Sequence, residues 1–363
     1  MACESTLKTN VGSWKGGALR EHSLELINTK ILKRWYTLNR SDFPLWVVTS
    51  YYNPEGYRRR QINFHAFRKN LKVPLLVIEL AESGRHQITD GDGDIVIRLT
   101  GDSHIWQKER LLNIGIASFP PHVKYVAWID CDVSFTRKDW ADETITVLES
   151  KGGVVQLFET VVHCPKCFDP ISEHENVVLE NPGLYREVSG ASIASRGNYK
   201  LPKTIFARDD AVKQGQTTES PGHAWAARIE DLREIGIYDS NIVGGGDSVF
   251  FYGATGTLNA SVERGIYSPF HARHMLAWRD RAQHFGLFRN IGFLHGVLIH
   301  YWHGDFADRK YSKRHQILLK ANYNPEHDVR LSSNQTWQWV SPAGGLARQV
   351  HNYFKTRKED GQQ

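Results

Sequence analysis

The chain has 363 residues, 40% of them hydrophobic and 23% charged, with 30 Gly and 13 Pro. This composition excludes a disordered, collagenous or coiled-coil chain, and the length predicts one large domain or about two of ordinary size. Lys and Arg exceed Asp and Glu by 45 to 40, yet the charge is uneven: residues 264–320 carry ten Lys/Arg against three Asp/Glu, plus seven His.

Such a basic stretch is either a solvated face or a surface for polyanions, such as a nucleotide diphosphate or a nucleic acid. The first 39 residues hold no apolar run of signal-peptide length, and the strongest run, 73–80, is far shorter than a membrane span. Four Cys in the whole chain fit a reducing compartment. The expectation is a soluble, cytoplasmic protein without a membrane span.

In chain order, residues 1–43 read as a polar, basic lead-in with a short helix near 24–36. A buried-strand pattern follows at 45–50 (LWVVTS), then a helix at 56–71, which includes the run Arg58, Arg59, Arg60. A second strand is expected at 73–80, a Gly-rich loop at 82–94, a helix at 106–117 and a third strand at 123–129. A helix at 139–150 and a strand at 153–159 complete the series. Strand alternating with helix predicts an α/β fold with a mostly parallel sheet, whose sites lie at the carboxyl ends of the strands. Residues 161–208 are Pro-containing and weakly periodic, hence loop-dominated. Order resumes at 222–228, 244–256 and 295–311, and the tail from 355 reads as polar and frayed.

Three motifs carry chemistry. The apolar strand ending at Ile129 runs into Asp130-Cys131-Asp132. Two carboxylates spaced by one residue at a strand end can converge on a hard cation such as Mn²⁺ or Mg²⁺, which binds through carboxylates and substrate phosphates. Their alternative use is as surface acids opening a loop. In Ile299-His300-Tyr301-Trp302-His303-Gly304-Asp305, two His three apart can add an imidazole ligand to the same cation, or serve structurally. Arg309, Lys310, Tyr311, Lys313 and Arg314 follow, and Arg suits bidentate phosphate contact. In Gly244-Gly245-Gly246-Asp247, the glycines permit close backbone approach, and Asp247 is either a helix cap or a general base. Trp225, among the small residues of 222–228, is either a flat platform for a sugar or a core residue.

The order of these motifs resembles the metal-dependent, inverting nucleotide-sugar glycosyltransferases of GT-A fold, in particular the β-1,4-galactosyltransferase type. The resemblance rests on Gln107 to Gly115, the Asp-x-Asp strand, 224–235, Gly236-Ile237-Tyr238-Asp239, Gly245-Gly246-Asp247 and the strand-borne His, spanning about 45–311. It implies a Rossmann-like sheet with helices on both faces, and a GT-A domain at 44–322. That domain would comprise a nucleotide-sugar half (44–160) and an acceptor half (161–322), followed by an extension at 323–363. The resemblance implies that Thr49, Tyr51, Tyr52, Asn53 and Glu79 face the donor nucleoside, with Lys108, Arg110 and Asn113 in the same pocket and Arg309 and Tyr311 near the diphosphate. Asp132, alone or with Asp130, would hold Mn²⁺ or Mg²⁺, completed by His300 or His303, with His303 preferred. Asp247 would be the catalytic base. Trp225, Arg228, Gly245, Gly246 and Arg279 would meet the transferred sugar or the acceptor.

The basic stretch interleaves Trp278, Phe285, Phe288 and Trp302 with Arg273, Arg279, Arg281 and Arg289. It favours a 5-hydroxymethylated pyrimidine in DNA as acceptor, as in glycosyltransferases carried by bacteriophages, which would place the protein in a host cytoplasm. The alternative is a cytoplasmic enzyme building a bacterial surface glycan. A second alternative is a sugar-phosphate nucleotidyltransferase, although the Gly-rich strand-turn with Lys or Arg expected there is missing from Thr49–Asn53. Cys164-Pro165-Lys166-Cys167, with His163 and His174, is also a candidate zinc-bound loop.

Overall fold

The computed structural model of the protein describes residues 43–361 except 198, 202–217 and 312. The helix expected at 24–36 lies outside the described residues. From the first described strand, β1 (Leu45–Tyr52), the chain alternates as the apolar pattern predicts. It runs through α1 (Arg58–Asn70), β2 (Leu75–Ala81), β3 (Ile95–Thr100), α2 (Lys108–Ser118) and β4 (Tyr125–Ile129). Next come β5 (Val133–Phe135), α3 (Trp140–Lys151), β6 (Val154–Gln156), β7 (Thr160–His163), β8 (Arg186–Ser189), β9 (Thr218–Ser220) and β10 (Ala224–Arg228). The remaining larger elements are α4 (Gly246–Ala254), α5 (Pro269–His284), β11 (Ile291–Phe293), β12 (Val297–His300), α6 (Arg314–Lys320), the hairpin β13 (Val329–Leu331) with β14 (Trp337–Trp339), and α7 (Gly345–Lys355).

A seven-stranded sheet has the order β11-β6-β10-β4-β1-β2-β3, and only β10 runs against the others. Period-two alternation sends successive residues of β1 to opposite faces. Trp46 and Val48 enter a core formed with α2, α4, α5 and α7, while Leu45 and Val47 enter a second core formed with α1 and α3. Helices therefore cover both faces, as a buried parallel sheet requires. This is the mostly parallel α/β architecture that the sequence pattern predicts.

Two features go beyond the expected elements. After the expected loop at 82–94, Ile95–Thr100 adds β3 at the sheet edge. Loop and turn residues outnumber helix and strand residues in the described part of 161–208, as expected, but its strands β7 and β8 join a second, five-stranded sheet of order β5-β12-β7-β8-β9. The two sheets meet at Asp130-Cys131-Asp132, since β4 belongs to the first and β5 to the second. Strands from 44–160 and from 161–322 mix in both sheets, and Trp339, Tyr353 and Phe354 of the extension join the larger core. Among the described residues, no helix is long and apolar enough to cross a membrane.

Candidate active site

A cleft opens beyond the carboxyl ends of β1 and β4, where ligands collect in open α/β sheets. Ten of the residues singled out from sequence line it: Tyr52, Lys108, Asp130, Asp132, Gly245, Asp247, His300, His303, Arg309 and Tyr311.

On one side, Lys108 at the start of α2 reaches Asp130 Oδ1 at 2.6 Å and Asp247 Oδ2 at 2.8 Å. Asp247 stands in the first turn of α4, behind the left-handed Gly245 (φ 94°). The approach of α4 to α2 is close: a Cβ on Gly246 would lie 2.5 Å from the Glu109 carboxyl carbon. Burial pushes the Glu109 carboxyl up to about 8 and the Asp130 carboxyl up to about 7, against the opposing pull of Lys108. Burial also raises Asp132.

On the other side stand the two histidines. His300 ends β12 and is flanked in register by Val133 of β5 and His163 of β7. His303 Nε2 lies 3.0 Å from Asp132 Oδ2 and 3.2 Å from His300 Nε2, and His300 Nε2 lies 3.9 Å from Asp132 Oδ1. One ligand atom from each of the three residues falls within 4.8 Å of the others. Burial holds both imidazoles well below their ordinary pKa; neighbouring histidines add to this at His300, and Arg309 adds to it at His303. Burial thus favours the neutral imidazole, the form that binds a metal. Asp132 Oδ1 is buried and accepts no hydrogen bond. A carboxylate oxygen and two imidazole nitrogens therefore converge on one point, and this donor set fits Mn²⁺ or another divalent first-row metal.

Cations surround that point. Arg309 donates to Tyr311 Oη at 2.9 Å and to the His303 carbonyl at 3.3 Å, and Arg357 lies over the Trp106 ring at 4.8 Å. Arg60, from the basic run Arg58-Arg59-Arg60 at the start of α1, also lines the cleft. Arg60 and Arg357 both bind Glu359, which is fully buried. The tail expected to fray thus builds part of the wall. Gly304 (φ 93°) allows its approach, since a Cβ there would meet the Arg357 carbonyl at 3.0 Å and Glu359 Cα at 3.1 Å.

The other ten residues singled out from sequence take up places away from the cleft lining. Thr49 Oγ1 donates to the Ile129 carbonyl at 2.7 Å inside the sheet. Tyr51 Oη and Asn53 Nδ2 both donate to Gln87, and Asn53 also caps the turn at Tyr57. Glu79 accepts the backbone amides of Gln87 and Ile88 and thereby fixes that loop. Arg110 pairs with Asp239 at 3.2 Å, and Asn113 bonds Ile237 and Asp239. Trp225 is a core residue whose Nε1 donates to the Pro221 carbonyl. Arg228 reaches the Leu148 carbonyl, Gly246 is buried against Glu109, and Arg279 bonds Asp280 and Asn259.

The zinc loop does not assemble: Cys164 is buried, Cys167 is exposed, and both are free. Among the described residues, the groupings able to hold a cation contain no cysteine. His163 of that motif instead joins Glu187 and His223 in a second buried cluster beside His300. Sequence reasoning also passed over Trp106, Glu109, Glu219 and Arg357. None of these lies in a recognisable motif except Glu109, which sits inside the Gln107–Gly115 segment.

No protein-family model matches the chain, and no curated protein matches its sequence. Among solved structures it is similar to residues 1–349 of S. aureus TarS in complex with UDP-GlcNAc, at 11% identity and a TM-score of 0.32, covering 59% of this chain and 53% of that one. The same TarS fragment with UDP gives 11% identity and a TM-score of 0.35, covering 86% and 71%. A mycobacterial protein gives 11% identity and a TM-score of 0.33, covering 88% and 86%. The matched region thus spans about half the length of the first of these.

Proposed function

We propose that the protein is a divalent-cation-dependent glycosyltransferase that moves a sugar from a nucleoside-diphosphate sugar, UDP-linked by resemblance, to an acceptor hydroxyl with inversion. The observation that carries this reading is the convergence of Asp132, His300 Nε2 and His303 Nε2 on one point, ringed by Arg60, Arg309, Arg314 and Arg357. A cluster of neutral imidazoles and a carboxylate takes a cation, and a cation among arginines takes a diphosphate.

A bound divalent ion would offset charge on the departing diphosphate. Arg309 and Arg314 add fixed positive charge on the same side. Asp247 accepts the acceptor's hydroxyl proton, and Lys108, bonded to both of its oxygens, fixes its rotamer. The acceptor oxygen forms the new bond to the anomeric carbon as the bond from that carbon to the diphosphate oxygen breaks, and the electron pair leaves with the diphosphate. Attack from the face opposite the diphosphate inverts the anomeric centre.

For the acceptor, a saccharide hydroxyl fits this chain better than a DNA base. The basic stretch does not form one face: Arg309 and Arg314 line the cleft, Arg279 is buried, Arg289 pairs with Asp231 at 2.8 Å, and Trp278 is core. Glu55, Glu219 and Asp247 line the cleft as well, and carboxylates repel a phosphate backbone.

The test is UDP release from a panel of UDP-sugars with Mn²⁺, using oligosaccharide or hydroxymethylated DNA as acceptor. Asp132→Ala should abolish Mn²⁺-dependent release. Asp247→Asn should lower transfer by roughly 10²–10⁴-fold while UDP binding persists. Full activity of Asp132→Ala without metal would refute the scheme. Release of pyrophosphate in place of UDP would indicate nucleotidyl transfer, and transfer to DNA with a steep salt dependence would restore the nucleic-acid reading.

A further inference from the structure

The cation-site reading leaves one buried group of side chains without a role. Glu187, fully buried in β8, lies diagonally across from His163 of β7, which pairs in register with His300 of β12. The register of the five-stranded sheet puts the three on one face, and of the three only His300 lines the cleft.

The contacts form a directed chain. Glu187 Oε1 accepts from Thr218 Oγ1 at 2.8 Å and from Tyr185 Oη at 3.2 Å. Its Oε2 lies 3.0 Å from His163 Nε2, and His163 Nδ1 lies 3.0 Å from His300 Nδ1. With Glu187 as a carboxylate, which only accepts, the proton in the first of these two contacts sits on His163 Nε2. In a neutral ring the Nδ1 of His163 then accepts, and His300 must donate from Nδ1. Of the two tautomers of His300, this one alone leaves Nε2 with a bare lone pair, and Nε2 is the atom aimed at Asp132 and His303. The Tyr185 ring stacks on His163 at 5.2 Å between centroids and keeps that ring from turning.

We propose that Glu187 and His163 are positioning residues that hold His300 in the tautomer and orientation that ligates the divalent cation. The inference rests on the cation site proposed above. The pair acts behind the ligand, through a second imidazole, as a carboxylate does when it orders a metal-bound histidine directly. This reading also explains why three polar groups are tolerated inside a sheet: each is satisfied by the next, and the last bond of the chain is the one to the metal.

The rival use of the same atoms is a second cation held by His163, Glu187 and His223, whose ligand atoms also lie within 4.8 Å of one another. The two uses exclude each other, because a cation on His163 Nε2 displaces the proton on which the chain depends.

The test is calorimetric titration of the metal-stripped full-length protein with Mn²⁺ alone, alongside thermal unfolding of the same metal-free samples. The wild type should bind one Mn²⁺ per chain. His163→Phe keeps a ring but offers no acceptor, and its Kd for Mn²⁺ should rise by roughly 10–100-fold. His163→Asn places an amide oxygen near the old Nδ1 position and should recover most of that affinity. Glu187→Gln removes the charge that orients His163 and should give an intermediate rise. The unfolding midpoints of the metal-free variants should not rank in this order. If wild type binds no Mn²⁺, the cation site itself fails. If wild type binds but His163→Phe has the same Kd, the positioning role fails alone. Two Mn²⁺ per chain, with one lost in Glu187→Gln, would overturn it in favour of the second site. Should His163→Phe not fold, an unchanged Kd in Glu187→Gln refutes the proposal equally.

Discussion

Replacing Glu359 with Gln tests how the cleft is held together. The carboxylate is completely buried and accepts from Arg60 Nη2 at 2.9 Å, from Arg60 Nε, and from Arg357 Nε at 2.6 Å. Burial alone would raise its pKa; Arg60 and Arg357 override burial and hold it far below the ordinary carboxylate range. An amide in its place leaves two guanidinium charges facing each other without a counter-charge. Removing one partner of a buried ion pair costs about 3–5 kcal/mol. The Arg60 side chain keeps 23% exposure, so the lower end applies, about 3 kcal/mol. At an unfolding entropy of roughly 2.1 cal/mol/K per residue, a chain of this length loses about 4 °C in midpoint. A diphosphate docked beside the same arginines would supply the missing negative charge. Saturating UDP with Mn²⁺ should therefore raise the midpoint of Glu359→Gln more than that of the wild type. The sign with pH follows from the depressed pKa. The stabilisation is present above the unfolded value of 4.5 and is lost as pH falls below it, so the wild-type advantage should shrink in acid. Calorimetric melting of metal-free protein near pH 7.5, repeated with UDP and Mn²⁺ and at low pH, measures all three effects. A variant that melts within 1 °C of wild type, or equal stabilisation of both proteins by UDP, would refute the reasoning.

Asp130 should give the opposite pH response. Its folded pKa is raised to about 7 from 3.8, so its contribution to stability is complete below about pH 4 and is lost as pH rises through 7. Urea unfolding of the metal-free protein at pH 5 and pH 8 should show that Asp130→Asn loses part of the wild-type decline; identical slopes would place the shift elsewhere. Gly246→Ala should set a methyl group against Glu109, whose carboxyl carbon lies only 2.5 Å from the new Cβ, at a cost of about 1–3 kcal/mol. Because it displaces Asp247 at the start of α4, transfer should fall by up to ~10²-fold. Mn²⁺ affinity, set by residues on other elements, should stay at the wild-type value, and a parallel loss of metal binding would show the two walls to be coupled.

Much of the fold was legible because parallel strands are short apolar runs and the helices between them are periodic. The strand β3 escaped because Arg98 interrupts its apolar run just after a Gly-rich segment. Its side chain folds back to Asp90 at 2.7 Å and to the Ile88 carbonyl at 2.9 Å, bonds that only the folded loop provides. The acidic and imidazole parts of the site were legible for a local reason. His300 and His303 are three residues apart at the end of β12 and converge with Asp132, whereas Asp130, two residues before Asp132, was expected to join them and pairs instead with Lys108 on the opposite wall.

Polar residues near strand ends and within α2 were harder to read, because the same side chain can face a ligand or satisfy the backbone. Thr49, Glu79 and Asn113 all satisfy the backbone: each bonds a main-chain group of another segment, and nothing in its own neighbourhood marks that choice. The charge balance of the cleft was the least legible part, since it is settled between residues distant in the chain. Arg60 and Glu359 are 299 positions apart, and each alone reads as surface. Together they show why the polar tail is ordered. A cleft that collects Arg60, Arg309, Arg314 and Arg357 for an anionic ligand is unstable without that ligand unless the chain supplies anions of its own. Glu359 is such an anion, and Gly304 beside His303 leaves the room for it to enter.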